Sequence, residues 1–290
     1  MNVLLVGHGY WGKKIAKTLK QFQDLQLFIY DKAENELNID DFLVKLPNFD
    51  HVFIVTPEKT HYDLAKKFLV LGKNVFVEKP LCLEEEQAKE LADLAISNKV
   101  VLFVDYIFLY DDFAKKIKEI LDSELIGKVN KVSSIRSSSF VNKPNLLVTD
   151  DLMIHDLYLL RYFFNNKISN SFSINSSSDS GLKQVDFSLI LNNKINIDVF
   201  YSWLSQKSER KMIIFGEKGS IYWNKNESFE ELILSKNNKK EKIEVKSKQS
   251  PLYKSIEDFF GKRAKLDQRY NNYIEDVSLL ALTRRKFYEN

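Results

Sequence analysis

The sequence predicts an α/β chain built in two parts. The first is a doubly wound parallel sheet and the second an α+β domain with a large, mostly antiparallel open sheet. Three observations carry this. Short wholly apolar runs alternate with helical patterns over the first hundred residues. Three of the chain's nine glycines stand together near the start. After Val104 the pattern changes to paired strands around Asn- or Gly-rich turns. Domain limits of 1–105 and 106–290 follow, with terminal helices that are free to pack back on the first domain.

The first-part strands are VLLV (3–6), LQLFIY (25–30), VFIV (52–55), NVFV (74–77) and VVLFV (100–104). Runs apolar on both faces suit strands covered by helices on each side. The helices run from the glycines to about Lys20, over 60–72 and over 83–98. Between Asp31 and His51 there is room only for a short helix, IDDFLVKL (39–46). The sheet is therefore expected to lack one strand of the usual set.

Gly7-His8-Gly9-Tyr10-Trp11-Gly12 is G-x-G-x-x-G between a strand and a helix. The first glycine permits the tight turn and the second admits a pyrophosphate at the helix N-terminus. The third lets helix and strand pack closely. His8 presents its backbone to such a ligand. The second strand ends at Tyr30-Asp31, where an acid can hold ribose hydroxyls and repel a 2′-phosphate. NAD is thus expected over NADP, with the adjacent Lys32 softening the preference. A glycine turn without a ligand is the alternative.

In the second part, 111–124 reads as a helix. KVNKVSSIRSSSF (128–140) reads as a Ser-rich strand suited to an edge, and 140–149 as a loop. The hairpins are 183–203, 211–223 and 230–245, and helices at 251–261 and 271–288 close the chain.

The formal net charge is +3, from 43 basic and 40 acidic residues, so charge implies neither nucleic acid nor an anionic membrane. The Lys-rich 235–248 mixes in Glu and reads as a solvated face. Cys82 is the one cysteine and reads as a small buried or capping residue, so no intrachain disulfide forms. No apolar run is long enough to span a membrane, and no secretory leader is visible, so a soluble cytoplasmic protein is expected. The four histidines are scattered, without metal-ligand spacing.

Glu78-Lys79-Pro80 ends the fourth strand, beyond which ligands of such sheets lie. A cationic Lys79 there can stabilise an alkoxide-like oxygen, or else simply pair with Glu78. Asp151 and His155 sit four apart in an apolar helical segment, on one face. A histidine suits the general base for a secondary alcohol. The alternative makes Asp150 or Asp151 an N-cap and His155 a satisfied core residue.

Thr56-Pro57, Thr60-His61, Gly72-Lys73, Val77-Glu78-Lys79-Pro80 and the Asp151-to-His155 helix together resemble the glucose–fructose oxidoreductase, inositol dehydrogenase and MocA family of NAD(P)-dependent oxidoreductases. The GYWG turn, the DLMIHD helix and the SWL strand look most like its sugar-nucleotide branch, such as UDP-sugar 3-dehydrogenases. The resemblance implies a Rossmann domain and hydride transfer between a nicotinamide and a CH–OH group of a sugar, sugar nucleotide or cyclitol. Lys79, His155 and Asp151 would be catalytic. Gly7, His8, Gly9, Tyr10, Trp11, Gly12, Asp31, Thr56, Pro57, His61, Glu78 and Lys79 would line the cofactor. For Thr60-His61 simple helix capping stays an equal alternative, and His51 reads as a strand-start residue. Tyr158 stands where a further Asp is common in the family. The family's open sheet implies a homodimer or homotetramer. A non-catalytic NAD sensor and a reductase of an imine or double bond remain rival readings. Tyr106, Arg136, Trp203 and Lys207 are candidates for selecting the substrate.

Overall fold

A computed structural model describes residues 1–139, 147–165, 168–173, 183–191, 194–226, 228–261 and 269–288. The chain divides into two compact units: 1–107 with 249–282, and 108–248 with 283–290.

The first unit carries β1 (Asn2–Val6), α1 (Tyr10–Leu19), β2 (Gln26–Tyr30), α2 (Ile39–Val44), β3 (His51–Ile54), α3 (His61–Val70), β4 (Asn74–Val77), α4 (Glu85–Ser97) and β5 (Leu102–Val104). The strands form one parallel sheet in the order β2-β1-β3-β4-β5. Five strands are what the short link from Asp31 to His51 allows, since α2 has only six residues. Val3, Leu4, Leu5, Val52, Phe53, Val75 and Phe76 are fully buried, as strands covered on both faces require.

The helix α7 (Pro251–Gly261) belongs to this unit. Its Phe259 stands edge-on to Phe53 and Phe76, with centroids 5.3 and 5.5 Å apart, and lies 5.6 Å from Phe103. Phe53, Phe76 and Phe103 lie on β3, β4 and β5, so one side chain closes over three adjacent strands. Tyr253 of the same helix stacks on Phe22 at 4.6 Å. His51 packs edge-on against Phe259 and Phe260. The last helix, α8 (Arg269–Tyr288), contributes its residues up to Leu282 here, and the rest belong to the second unit.

The second unit contains α5 (Asp112–Asp122), β6 (Val129–Ser139), α6 (Val148–Phe164) and seven more strands. These are β7 (Ile168–Ser173), β8 (Gln184–Leu191), β9 (Ile195–Ser202), β10 (Leu204–Gly216), β11 (Gly219–Lys225), β12 (Glu230–Lys236) and β13 (Lys239–Lys242). Among the described residues they make one eight-stranded sheet, ordered β13-β12-β11-β10-β6-β9-β8-β7. It is antiparallel except where β6 pairs with β9. The hairpins β10–β11 and β12–β13 fall where the Gly- and Asn-rich turns placed them. Asn237 and Asn238 take positive φ, 52° and 57°, as a tight two-residue hairpin demands. The turn between β8 and β9 lies outside the described residues.

Two sequence expectations are corrected. The Ser-rich β6 is not an edge strand, because it lies between β10 and β9. Two of its serines bond within the unit: Ser134 Oγ donates to Asp156 at 2.8 Å and Ser137 Oγ to the Lys207 carbonyl at 3.4 Å. The loop expected over 140–149 ends earlier than Thr149, because α6 begins at Val148. Residues 140–146 lie outside the described residues. The strand β7 lies outside the stretches read above as strands.

Candidate active-site residues

The glycine turn shows why three glycines stand there. Gly7 has φ +98°, and a Cβ on it would meet Val55 O at 2.3 Å. A Cβ on Gly12 would lie 2.2 Å from Gly7 O, inside any tolerable contact. Gly9 differs, for nothing lies within 4 Å of where its Cβ would be. Gly9 is also the N-cap of α1, with no side chain capping the first turn. Open space in front of uncapped helix N–H groups fits a pyrophosphate. Tyr10 is 78% exposed beside it, and the Lys14 ammonium lies over the Tyr10 and Trp11 rings at 4.3 and 4.7 Å.

Asp31 closes the turn from the end of β2. Its Oδ2 accepts the His8 N–H at 2.6 Å and its Oδ1 the Ala33 N–H at 2.9 Å. These two backbone donors, His8 first, hold its carboxyl below the usual aspartate range. The His8 ring reaches outward, with Nδ1 3.2 Å from Glu34 Oε2. Two carboxylates therefore stand at the tip of β2.

Thr56 and Pro57 follow β3. Thr60 Oγ1 lies 2.7 Å from both the Thr56 hydroxyl and the Pro57 carbonyl, so with its single hydrogen it donates to the carbonyl and accepts from Thr56. It folds the turn back on itself and makes no side-chain cap of α3. His61 is 1% exposed, with Nδ1 2.8 Å from Pro80 O and Nε2 2.9 Å from Thr56 O. Burial presses its pKa down, so the ring is neutral and donates to one of these carbonyls. His61 thus ties the turn after β3 to the turn after β4, and both ring nitrogens are occupied by the protein itself.

Glu78 follows β4 and Asp105 follows β5, each one residue beyond the paired Val77 and Val104. Both are buried, at 8% and 1% exposure. Burial pushes Glu78 well up, and the charge of Asp105 adds to it. Lys79, the Trp11 indole N–H and the Lys79 amide oppose. Burial pushes Asp105 up to about 7, against Ser255 Oγ, which donates at 2.7 Å, and against Lys79. Glu78 Oε1 and Asp105 Oδ2 have no hydrogen-bond partner among the described residues. Two buried neighbouring carboxyls resist ionising together, so the pair retains a proton near neutral pH. Lys79, half-buried, stands where its ammonium acts on both. Asp105 carried no signal in the sequence, because its partners Ser255 and Glu78 are distant along the chain. Cys82 is buried and its thiol is pushed up to about 12, as expected of a structural cysteine.

In the second unit, α6 begins at the N-cap Leu147 and not at an aspartate. Asp150 instead accepts the Leu147 N–H at 3.1 Å and the Arg284 Nε–H at 3.0 Å. Asp151 is half-buried. His155 is half-buried too, with Nδ1 2.8 Å from the Tyr158 hydroxyl. The ring partner identified for His155 is therefore Tyr158, which in the sequence looked only like a departure. The Tyr158 oxygen also accepts the Phe108 N–H at 3.4 Å. Asp156 is 1% exposed and takes three donors: Arg136 Nε at 2.7 Å, Ser134 Oγ at 2.8 Å and Tyr201 OH at 2.9 Å. It fixes α6 to β6 and β9, and so sets the height of the neighbouring His155. Tyr106 and Trp203 are buried, and Lys207 is exposed. Among the described residues no group of three or more His, Cys, Asp or Glu is placed to hold a metal. No described helix is long and apolar enough to cross a membrane.

Comparison with known proteins follows the same division. Residues 1–106 match the oxidoreductase family with NAD-binding Rossmann fold, the glucose–fructose oxidoreductase, inositol dehydrogenase and MocA family. The inositol 2-dehydrogenase/D-chiro-inositol 3-dehydrogenase of Lacticaseibacillus casei is 29% identical over 134 residues, 45% of this chain and 39% of that one. The scyllo-inositol 2-dehydrogenase (NAD(+)) of Bacillus subtilis is 29% identical over 130 residues, 43% of this chain and 38% of that one. The chain spans about half or less of the length of such curated relatives. Likeness of fold extends further. The UDP-N-acetylglucosamine 3-dehydrogenase of Acidithiobacillus ferrooxidans superposes with TM-score 0.79 at 22% identity, over 98% of this chain and 96% of that one. A 3-ketoreductase of Actinomadura kijaniata, solved with TDP-benzene and NADP, gives TM-score 0.84 at 14% identity, over 98% and 97%. The glycine turn, the acid after β2 and the Glu-Lys-Pro strand end all fall within residues 1–106, the part of the chain that matches the NAD-binding Rossmann domain of the glucose–fructose oxidoreductase, inositol dehydrogenase and MocA family.

Proposed function

We propose that this protein is an NAD-dependent oxidoreductase that moves a hydride between nicotinamide and a CH–OH carbon of a sugar, sugar nucleotide or cyclitol. The observation that carries this reading is Lys79, an ammonium at the end of β4 beside the buried Glu78 and Asp105. A cation so placed holds a substrate hydroxyl and stabilises the oxygen as its carbon loses hydride. When bound, NAD supplies the hydride acceptor. Asp31 and Glu34 at the tip of β2 favour ribose hydroxyls over a 2′-phosphate there, which supports NAD over NADP.

His155 takes the hydroxyl proton. With Nδ1–H donating to the Tyr158 oxygen, the lone pair sits on Nε2, the form a base needs. In the oxidation the carbon loses hydride, the oxygen loses its proton to His155, and a ketone remains. Asp151, one helical turn before His155, favours the protonated ring that results. The large sheet of the second unit supports assembly as a homo-oligomer.

The test is reduction of NAD, followed by absorbance, over a panel of inositols, hexoses and UDP-hexoses. Lys79→Ala is assayed beside wild type, with NAD binding measured by calorimetry. Turnover in wild type and a loss of on the order of a hundredfold or more in the variant, with NAD still bound, is the expected result. Near wild-type turnover by Lys79→Ala would remove the assignment. Silence of wild type across the panel, with NAD bound, would favour a sensor.

A further inference from the structure

Asp105 is a buried acid that the hydride and proton transfers above do not use. Register brings it to Glu78. Phe76 pairs with Phe103 and Val77 with Val104, and the ladder runs one step further, for the Asp105 N–H donates to Val77 O at 2.9 Å. Glu78 and Asp105 thus stand side by side on adjacent strand ends, roughly 5 Å apart along the backbone. Each lies two residues beyond a phenylalanine that Phe259 covers, so both side chains point to the face under α7. Ser255, four residues before Phe259 and on the same side of α7, donates to Asp105 Oδ1 at 2.7 Å. From α1 the Trp11 indole N–H donates to Glu78, and the Lys79 amide donates to Glu78 Oε2 at 3.2 Å.

Donors are still short at this pair, because Glu78 Oε1 and Asp105 Oδ2 face no hydrogen-bond partner among the described residues. Charge is out of balance as well if both acids ionise. Lys79 is a cation acting on both, and two carboxylates buried to 8% and 1% exposure would outweigh its ammonium. A proton kept on the pair removes both faults. It supplies a donor and leaves one negative charge opposite the ammonium. The neighbouring titratable groups add no charge near neutral pH. His61 of α3 is buried and neutral, and the Tyr273 hydroxyl of α8 accepts the Val104 N–H at 3.5 Å.

We propose that Asp105 is a positioning residue: with Glu78 it forms a carboxyl–carboxylate pair whose single negative charge seats the Lys79 ammonium for the substrate oxygen. The inference rests on the oxidoreductase reading and adds the group that stands behind its lysine. With one charge behind it, the ammonium keeps donors free for substrate. When the pair loses its proton, the second charge draws the ammonium inward and away from that oxygen. Turnover therefore falls as pH rises through that loss. Asp105→Asn cannot carry the second charge and escapes the fall.

Two readouts on the whole protein test this. The first is the rate at which acetic anhydride acetylates Lys79 at alkaline pH, read by mass spectrometry against exposed lysines. An amine held as ammonium by two carboxylates reacts slowly. Asp105→Asn and, separately, Glu78→Gln are each expected to speed the labelling roughly tenfold. The second is kcat against pH with NAD and a sugar that is turned over. From neutral to alkaline pH, wild type is expected to lose roughly tenfold more turnover than Asp105→Asn. A merely structural Asp105 would change kcat by one factor at every pH and leave labelling as it is. Labelling at the wild-type rate in either folded variant, or kcat profiles that superpose after scaling, would overturn the proposal. Labelling needs no turnover, so the two readings fail separately. Equal labelling with sugar oxidation intact ends this inference alone. Faster labelling in the variants, with no NAD reduction by any sugar, ends the oxidoreductase reading alone.

Discussion

Asp105 holds a proton in the folded chain that the unfolded chain releases. Its carboxyl titrates near 7 when buried beside Glu78, against 3.8 for the unburied group. Between those values the native state binds the extra proton, so stability falls as pH rises through that window. Asp105→Asn is expected to gain in melting temperature relative to wild type from about pH 4 to about 7, with the gain level above that range. Parallel melting curves for the two proteins over that range would show that Asp105 holds no such proton. At His155 the readout is kinetic. Tyr158→Phe removes the oxygen facing Nδ1, and kcat is expected to fall on the order of tenfold, with the pH profile displaced. An unchanged profile would deny Tyr158 its positioning role. Candidate residues set by local spacing were legible in the sequence: Asp31, Lys79 and the Asp151–His155 helix. Asp105 was not, because Ser255, which donates to it, lies 150 residues away.

The turn from β1 to α1 separates two uses of glycine that the motif alone merges. Gly12→Ala drives a methyl into Gly7 O, so a loss of about 1–3 kcal/mol of stability is expected by denaturant unfolding. Gly9→Ala points its methyl into empty space, so the melting temperature stays while NAD affinity falls on the order of tenfold. Equal affinity in Gly9→Ala would place the pyrophosphate elsewhere. Elements with a strong period were readable at this scale: α1, α3 and α4, the five parallel strands and the hairpins. The strand β6 was misread because serine looks solvent-facing until its partner is known. Asp156, the acceptor that satisfies Ser134, lies 22 residues away on α6.

Across the molecule the chain leaves its first unit after Ile107 and returns at Gln249. The sheet face bearing Phe53, Phe76 and Phe103 is covered by Phe259, which arrives with the returning chain. A fragment ending at residue 107 would leave those rings uncovered. It is expected to lack a cooperative unfolding transition by circular dichroism, while a linked 1–107/249–282 chain regains one. A cooperative 1–107 fragment would show that α7 is dispensable. The sequence marked where the paired-strand pattern begins, but not which unit the last helices complete, because an amphipathic helix does not name the face that it covers.

That arrangement sets an order on synthesis. On the ribosome the first sheet is complete long before α7 exists, and residues 108–248 must be made in between. At cellular elongation rates of about 5–20 residues per second this is roughly seven to thirty seconds during which a phenylalanine-rich face waits for its cover. An apolar face left uncovered over that interval is open to aggregation. Slowing translation within 108–248 should lengthen the wait and lower the yield of native protein, while the same pause placed after residue 282 should cost little.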